Sequence, residues 1–171
     1  MIRPPATLLI SALAAALAAC ASDTASVEQP TFYRSMANPT AELDAATAAS
    51  MISGFRQNNG LGAVVLDPAL MQLAQTEAQS MAARDKIDSD AKGAFARRMK
   101  AAGFDSKVSA ENISAGYHTL AEAFSGWRDS PPHRANMLKP GVTRMGIAAV
   151  YTPSSKYKVF WTLILAAPGV S

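Results

Sequence analysis

Two residues of the sequence, Glu111 and His133, could together bind a metal or activate a water molecule. A carboxylate and an imidazole that converge in a cleft can act as zinc ligands or as general acid–base groups. They lie 22 positions apart, so only the intervening fold can bring them together. From spacing alone, the better interpretation is structural, with Glu111 capping a turn and His133 bonding a loop.

The segment between these two residues predicts a helix that folds the chain back on itself. Thr119 and Glu122 form a capping-box pattern ahead of apolar residues at helical spacing up to Trp127. Ser130 followed by Pro131 starts a further helical turn. The first turn of that second helix should present the histidine toward the chain that precedes the capped helix.

The sequence on the N-terminal side of the capped helix predicts where Glu111 and His118 lie. Glu111 is expected on a short strand or extended segment after the third helix, close enough to meet His133 across a cleft. His118 is the only other histidine in the sequence, and we expect it at the surface near the N-terminus of the capped helix.

Three earlier helices are predicted from apolar residues at three- and four-residue steps. They run from about Ala41 to Asn58, from Pro68 to about Arg84 and over residues 93–102. Asp67 before the second helix is a favourable N-cap, and the glycine after the third is placed to end it.

The C-terminal part changes to a two-residue period, which is typical of strands. Residues 145–151 alternate, a Pro-Ser-Ser turn follows, and residues 157–165 alternate again. These strands predict an antiparallel hairpin, and both of its faces are apolar enough to need helices. The predicted fold class is α+β, a three-layer α-β-α sandwich with a small antiparallel sheet between the helices.

The N-terminal 19 residues have the pattern of a secretory signal, with one early cation and a short apolar run. The run ends in Leu-Ala-Ala before Cys20, which resembles a bacterial lipobox and predicts lipidation of that cysteine. An ordinary signal peptide with a chance cysteine is the alternative. Residues 20–40 are interpreted as a flexible tether and residues 41–171 as the folded domain.

Charge and cysteine content narrow the function classes. The net charge is +3, and removal of Arg3 with the signal leaves 15 cationic against 13 acidic residues. So small and scattered an excess predicts no nucleic-acid binding. One cysteine excludes an internal disulfide. We expect a monomer attached to a membrane through Cys20.

Several motifs together resemble the CAP superfamily (cysteine-rich secretory, antigen 5 and pathogenesis-related, or SCP-like, proteins) in its cysteine-free bacterial form. They are Glu-Asn-Ile at residue 111, Ser-Pro-Pro-His-Arg-Ala-Asn-Met-Leu after Trp127, and Met-Gly-Ile at residue 145. The similarity covers about residues 41–168, and it implies the same α-β-α sandwich.

The resemblance also implies a cleft lined by two histidines and two acidic residues. Matched position by position, the glutamate of the Glu-Asn motif is Glu111 and the second histidine is His133. The first histidine falls on Ser89, and the other acidic residue falls on Ser130, beside Asp129. Half of the tetrad is therefore retained. Because a serine hydroxyl replaces one imidazole, zinc binding through His133 is weakened and no cofactor is firmly expected.

These observations favour an envelope-anchored lipoprotein that binds a small or extended ligand (lipid, peptide or wall fragment) without catalysis. The expected cleft residues are Ser89, Glu111, Ser130, His133, Arg134 and Asn136. The alternative is a metal-dependent hydrolase or peptidase in which Glu111 is the base for a water near His133, so enzymatic activity stays open. A structural protein with a vestigial cleft is a third interpretation. Ala21 after the cysteine indicates the outer membrane, facing the periplasm.

Overall fold

The computed structural model describes residues 29–88 and 93–168. The predicted signal peptide, Cys20 and Ser89 lie outside these residues. The helices are α1 (Ala45–Gln57), α2 (Pro68–Arg84), α3 (Ala94–Ala101), α4 (Leu120–Asp129) and α5 (Pro131–Met137), and the strands are β1 (Val65–Leu66), β2 (Ser109–Ala115), β3 (Arg144–Tyr151) and β4 (Val159–Ala166). Short 3-10 turns cover Thr31–Tyr33 and Ser106–Val108. The predicted α+β class is confirmed.

The four strands form one sheet in the order β1-β3-β4-β2. The predicted hairpin is present, with β3 and β4 antiparallel from Arg144 opposite Ala166 to Tyr151 opposite Val159. β2 pairs antiparallel with β4, and the two-residue β1 pairs parallel with β3. The second hairpin strand begins two residues later than predicted, at Val159.

Helices cover both faces of the sheet. Every residue of β4 is buried, and a strand buried on both faces needs a helix layer on each side. Trp161 and its alternate neighbours face α1, α4 and α5, and the rings of Trp127 and Trp161 meet edge to face at 6.4 Å. Ile164 faces α2 and α3. A Cβ on Gly146 of β3 would overlap the main chain of Leu70, so α2 lies directly against the sheet.

Local signals in the sequence explain the helix boundaries. Asp67 caps α2, and the capping box between Thr119 and Glu122 is formed at the start of α4. The first helix was predicted to begin near residue 41 but begins at residue 45, because Asp44 is its N-cap. In the described part of the chain, no helix combines the length and the apolar character needed to cross a bilayer.

Part of the tether predicted for residues 20–40 packs on the domain, upstream of the boundary predicted at residue 41. Met36 is only 6% exposed and belongs to the core on the α1 face. Its N–H donates to the His118 carbonyl at 2.6 Å. The Thr31 hydroxyl donates to the Asp44 carboxylate at 2.8 Å. The folded domain therefore includes residues from about Thr31 onward.

Candidate functional site

Glu111 lies on β2 with its carboxylate on the face covered by α2 and α3. There the Arg98 guanidinium of α3 bonds Glu111 Oε1 at 2.9 Å and lies 3.2 Å from Glu77 Oε2 of α2. The side chains of Glu77 and Glu111 are 3% and 7% exposed. These three residues, called here the glutamate–arginine cluster, place two buried carboxylates beside one partly buried cation.

Burial is the main influence on the pKa of Glu111 in this cluster. Loss of water raises the pKa of Glu111, and the Glu77 carboxylate adds to the rise, whereas attraction and hydrogen bonding from Arg98 oppose it. Glu77 Oε1 and Arg98 Nε have no hydrogen-bond partner among the described residues. A buried carboxylate whose ionised form depends on one cation is sensitive to the loss of that cation.

His133 lies in the first turn of α5 and is held by a neighbour in sequence. Its Nδ1 is 2.9 Å from the Ser130 hydroxyl oxygen. Ser130 is the N-cap residue of α5, yet its side chain makes no bond to the helix main chain. Partial burial lowers the pKa of His133. Its imidazole is therefore neutral near pH 7, with one ring nitrogen directed to Ser130.

Two asparagine side chains join β2 to α5. Asn112, which is 1% exposed, donates from Nδ2 to the His133 carbonyl at 3.0 Å. Asn136 donates from Nδ2 to the Glu111 carbonyl and to Asn112 Oδ1, both at 2.9 Å. Asn112 was missed as a site residue by sequence reasoning, although the Glu-Asn motif contains it. These bonds fix the main chain of His133 relative to that of Glu111.

The direct meeting expected between Glu111 and His133 is replaced by this indirect connection. In the chain as described, no hydrogen bond or ion pair joins the two side chains. Successive side chains of a strand point to opposite faces, so Asn112 faces α5 while the Glu111 carboxylate faces α3. The structure thus brings the two residues into one region but gives each a separate partner.

Arg134, His118 and Asp129, the other residues considered from the sequence, lie in three different surroundings. The Arg134 guanidinium lies over the Phe55 ring, 5.5 Å from its centroid, and reaches Asn59 Oδ1 at 3.4 Å. It therefore packs α5 against α1. His118 is exposed, as predicted. Asp129 pairs with its exposed neighbour Arg128 at 2.7 Å.

The described donors do not fit the zinc site that the resemblance implies. Zinc sites in proteins use at least three protein ligands, with nitrogen or sulfur prominent among them. No three histidine, cysteine or acidic residues cluster in a geometry able to hold a metal ion within residues 29–88 and 93–168. The Glu111 carboxylate is bonded to a guanidinium, and His133 supplies a single imidazole.

Three features together define one class of protein. They are the three-layer sandwich, the Glu-Asn motif on the edge strand β2, and His133 on the neighbouring helix α5. The family model described as CAP, the cysteine-rich secretory protein family, matches residues 49–165. The chain belongs to this family.

One protein of known sequence and two of known structure are similar to this chain. Over 101 residues the chain is 33% identical to the uncharacterized protein YkwD of Bacillus subtilis (strain 168), covering 58% of this chain and 39% of YkwD. An extracellular SCP-domain protein of Bacillus anthracis has a TM-score of 0.59 at 20% identity, over 72% of this chain and 40% of that one. An outer surface protein of Borrelia burgdorferi has a TM-score of 0.63 at 18% identity, over 72% of this chain and 92% of that one.

The coverage differs among these proteins. The chain spans about two fifths of the length of YkwD and of the Bacillus anthracis protein. The two solved structures share the fold with this chain.

Proposed function

We propose that this CAP-domain protein is an envelope-anchored lipoprotein whose cleft between β2 and α5 binds a small or extended ligand without catalysis. The observation that supports this most directly is the 2.9 Å bond between Arg98 and the Glu111 carboxylate. A general base needs a lone pair within reach of the proton that it removes. Here one oxygen of the Glu111 carboxylate is bonded to Arg98, and the carboxylate lies on the face of the sheet covered by α2 and α3 instead of beside His133, so the two side chains are not placed to act on one water molecule.

His133 is better suited to recognition than to metal binding. Its imidazole is neutral near pH 7, and one ring nitrogen is engaged by Ser130. The other nitrogen has no partner among the described residues and can hydrogen-bond a ligand. Such a group suits the polar atoms of a peptide or a wall fragment better than the alkyl chain of a lipid.

The two histidines allow a matched test of ligand binding. The protein and its His133→Ala and His118→Ala variants would be incubated with enzymatically released wall fragments and with an envelope lipid extract, then examined by native mass spectrometry. We expect a bound species with wild type and His118→Ala that is lost with His133→Ala. If His133→Ala retains every bound species and only melts at a lower temperature, the cleft is structural and the proposal is wrong.

A metal-dependent hydrolase that uses Glu111 and His133 is the second candidate. The observation that favours it is the raised pKa of Glu111, because carboxyls with raised pKa values are found at catalytic sites. The cause of the rise is burial within an ion-pair cluster, which is also found in structural networks. Zinc binding separates the two functions, because only the hydrolase requires a bound metal ion.

Membrane attachment through Cys20 is the other part of the proposal. It is supported by the lipobox pattern and by the surface location in the name of the Borrelia burgdorferi relative. We expect Cys20→Ser to move the protein from the membrane fraction to the soluble fraction when cells are fractionated and immunoblotted. Ser22→Ala, two positions along, is the control that should stay in the membrane fraction. If Cys20→Ser stays in the membrane fraction, attachment through this residue is refuted.

A further inference from the structure

The two edges of the sheet differ in how they are covered. At one edge, the Asn136 side chain bonds the Glu111 carbonyl of β2. At the other edge, β1 pairs with β3 only at Arg144 and Met145. From Gly146 to Tyr151 the outer side of β3 has no neighbouring strand in the described chain. An uncovered edge presents main-chain N–H and C=O groups that another strand can pair with.

The direction of these groups follows from the bonds nearby. The Met145 carbonyl accepts a bond of 2.9 Å from the residue after β1, so it points outward. The Ile147 N–H points the same way, toward Met71 Sδ at 3.3 Å. Alternate residues of an antiparallel strand share one direction. Ala149 and Tyr151 therefore turn N–H and C=O outward, and none of these four groups has a partner among the described residues.

A cavity of about 490 Å³ lies along this open stretch and is lined by Ala149 and Tyr151. Met36 and Pro39 line it from the N-terminal segment, and Gln75 lines it from α2. Its volume is within the roughly 300–1,000 Å³ usual for ligand sites. The Gln75 amide has no hydrogen-bond partner among the described residues. This cavity, called here the β3 edge groove, combines a strand edge with a wall on either side.

We propose that the β3 edge groove binds an extended peptide segment of a partner protein by strand addition. Two donors and two acceptors alternate at Ala149 and Tyr151, and an extended main chain is the ligand that matches this spacing. Met36 and Pro39 offer apolar contact to a side chain of the added strand, and Gln75 offers an amide. The groove lies at the opposite edge of the sheet from Glu111, so it is separate from the proposed cleft.

A second copy of the chain is a less suitable occupant. Edge-to-edge pairing would need the open strands of two sheets to approach directly. The walls formed by residues 36–41 and by α2 stand on both sides of Ala149. These walls oppose the approach of a whole second sheet to the edge of β3.

The test uses the full-length protein in detergent and a capped hexapeptide of alternating threonine and valine with lysine at each end. A twin peptide carries N-methyl groups on alternate amides and cannot donate from one edge. By amide NMR we expect the first peptide to shift Ala149 and Tyr151 and to slow their hydrogen exchange by at least about tenfold, the effect of one or more added hydrogen bonds. The twin should do neither.

Two variants at one position make the test specific to the edge. Ala149→Pro removes the outward N–H without removing a bond of the β3–β4 pairing, and proline is accepted at strand edges. Ala149→Ser retains the N–H at nearly the same volume. We expect the proline variant to bind the first peptide at least about tenfold more weakly than the serine variant, the loss of about one hydrogen bond.

Several results would overturn the proposal. They are equal binding of both peptides, equal binding by the two variants, and no response at Ala149 and Tyr151 at millimolar peptide. Exchange of these two amides that is already as slow as that of Ala148 and Val150 would show that the edge is covered. Dimerisation through this edge, detected by light scattering, would identify a second copy as its occupant. The peptide comparison holds even if Ala149→Pro does not fold.

Discussion

Replacement of Arg56 by methionine is expected to lower the free energy of unfolding by at least about 3 kcal/mol, because each buried acceptor left without its donor costs about 1–3 kcal/mol. Arg56 is 1% exposed. Its guanidinium donates to the carbonyls of Gly62, Met137, Lys139 and Val142 at 2.8–3.0 Å. Methionine has similar length but no donor, so it leaves all four carbonyls without their bonds.

The measurement is urea denaturation followed by circular dichroism. Arg56→Lys should fall between wild type and Arg56→Met, because an ammonium retains the charge but cannot match the planar guanidinium. Arg128→Met is the surface control, since that arginine is exposed and pairs with its neighbour Asp129. It should leave the midpoint unchanged. If Arg56→Met lowers the free energy of unfolding no more than the control does, water replaces the four hydrogen bonds.

Replacement of Arg98 by methionine should have a comparable effect that depends on pH. At pH 7 we expect a loss of about 3–5 kcal/mol, because Glu77 and Glu111 would remain buried without their cation. Without Arg98, the two influences that lower the pKa of Glu111 disappear and its pKa rises further. Protonation of Glu111 should then restore part of the stability at acidic pH.

The sign follows from linkage between proton binding and folding. Glu111 has a pKa raised above that of the unfolded chain, so the folded protein holds the proton more tightly. The stabilisation that this proton gives is complete below the pKa of Glu111 in the unfolded chain. It is lost as the pH rises through the pKa of Glu111 in the folded protein. Arg98→Met moves the folded pKa upward. The stability difference from wild type should therefore be smaller at pH 4.5 than at pH 7.

Thermal denaturation of wild type and Arg98→Met across this pH range measures the difference. Arg98→Met combined with Glu111→Gln is the matched control, because it removes one of the two uncompensated carboxylates. It should recover part of the loss at pH 7 and reduce the pH dependence. An equal loss at both pH values, or no recovery in the double variant, would contradict the account of the cluster.

The parts of the fold that depend on local signals could be predicted from the sequence. The N-cap Asp67, the capping box at Thr119 and the two-residue period of the hairpin each depend on neighbours in the chain. They correctly predicted α2, α4 and the pairing of β3 with β4. Burial on both faces of β4 also followed from its apolar content, which required helices on both sides.

Features that depend on distant contacts could not be predicted in this way. β1 has two residues, too few to show alternation. Met36 lies in a polar, proline-containing segment, and only its contact with the α1 face makes that segment part of the domain. Arg98 belongs to a short basic helix whose sequence indicates a solvated surface. Its role depends on β2 placing Glu111 opposite it.

The candidate site was predicted in part for the same reason. The sequence motifs located Glu111 and His133 in one region, and the structure joins their main chains through Asn112 and Asn136. The side-chain partners differ from expectation because strand alternation directs Glu111 to α3 and its neighbour to α5. Ligand binding by this region stays a prediction.

Calorimetric titration of the metal-free protein with zinc tests the central claim most directly. Because Glu111 is engaged by Arg98 and His133 supplies a single imidazole, we propose a binding cleft without a catalytic metal. We therefore expect weak zinc binding or none, and the same result for His118→Ala. Submicromolar binding of one zinc ion, abolished by His133→Ala and retained by His118→Ala, would contradict the account and favour the hydrolase.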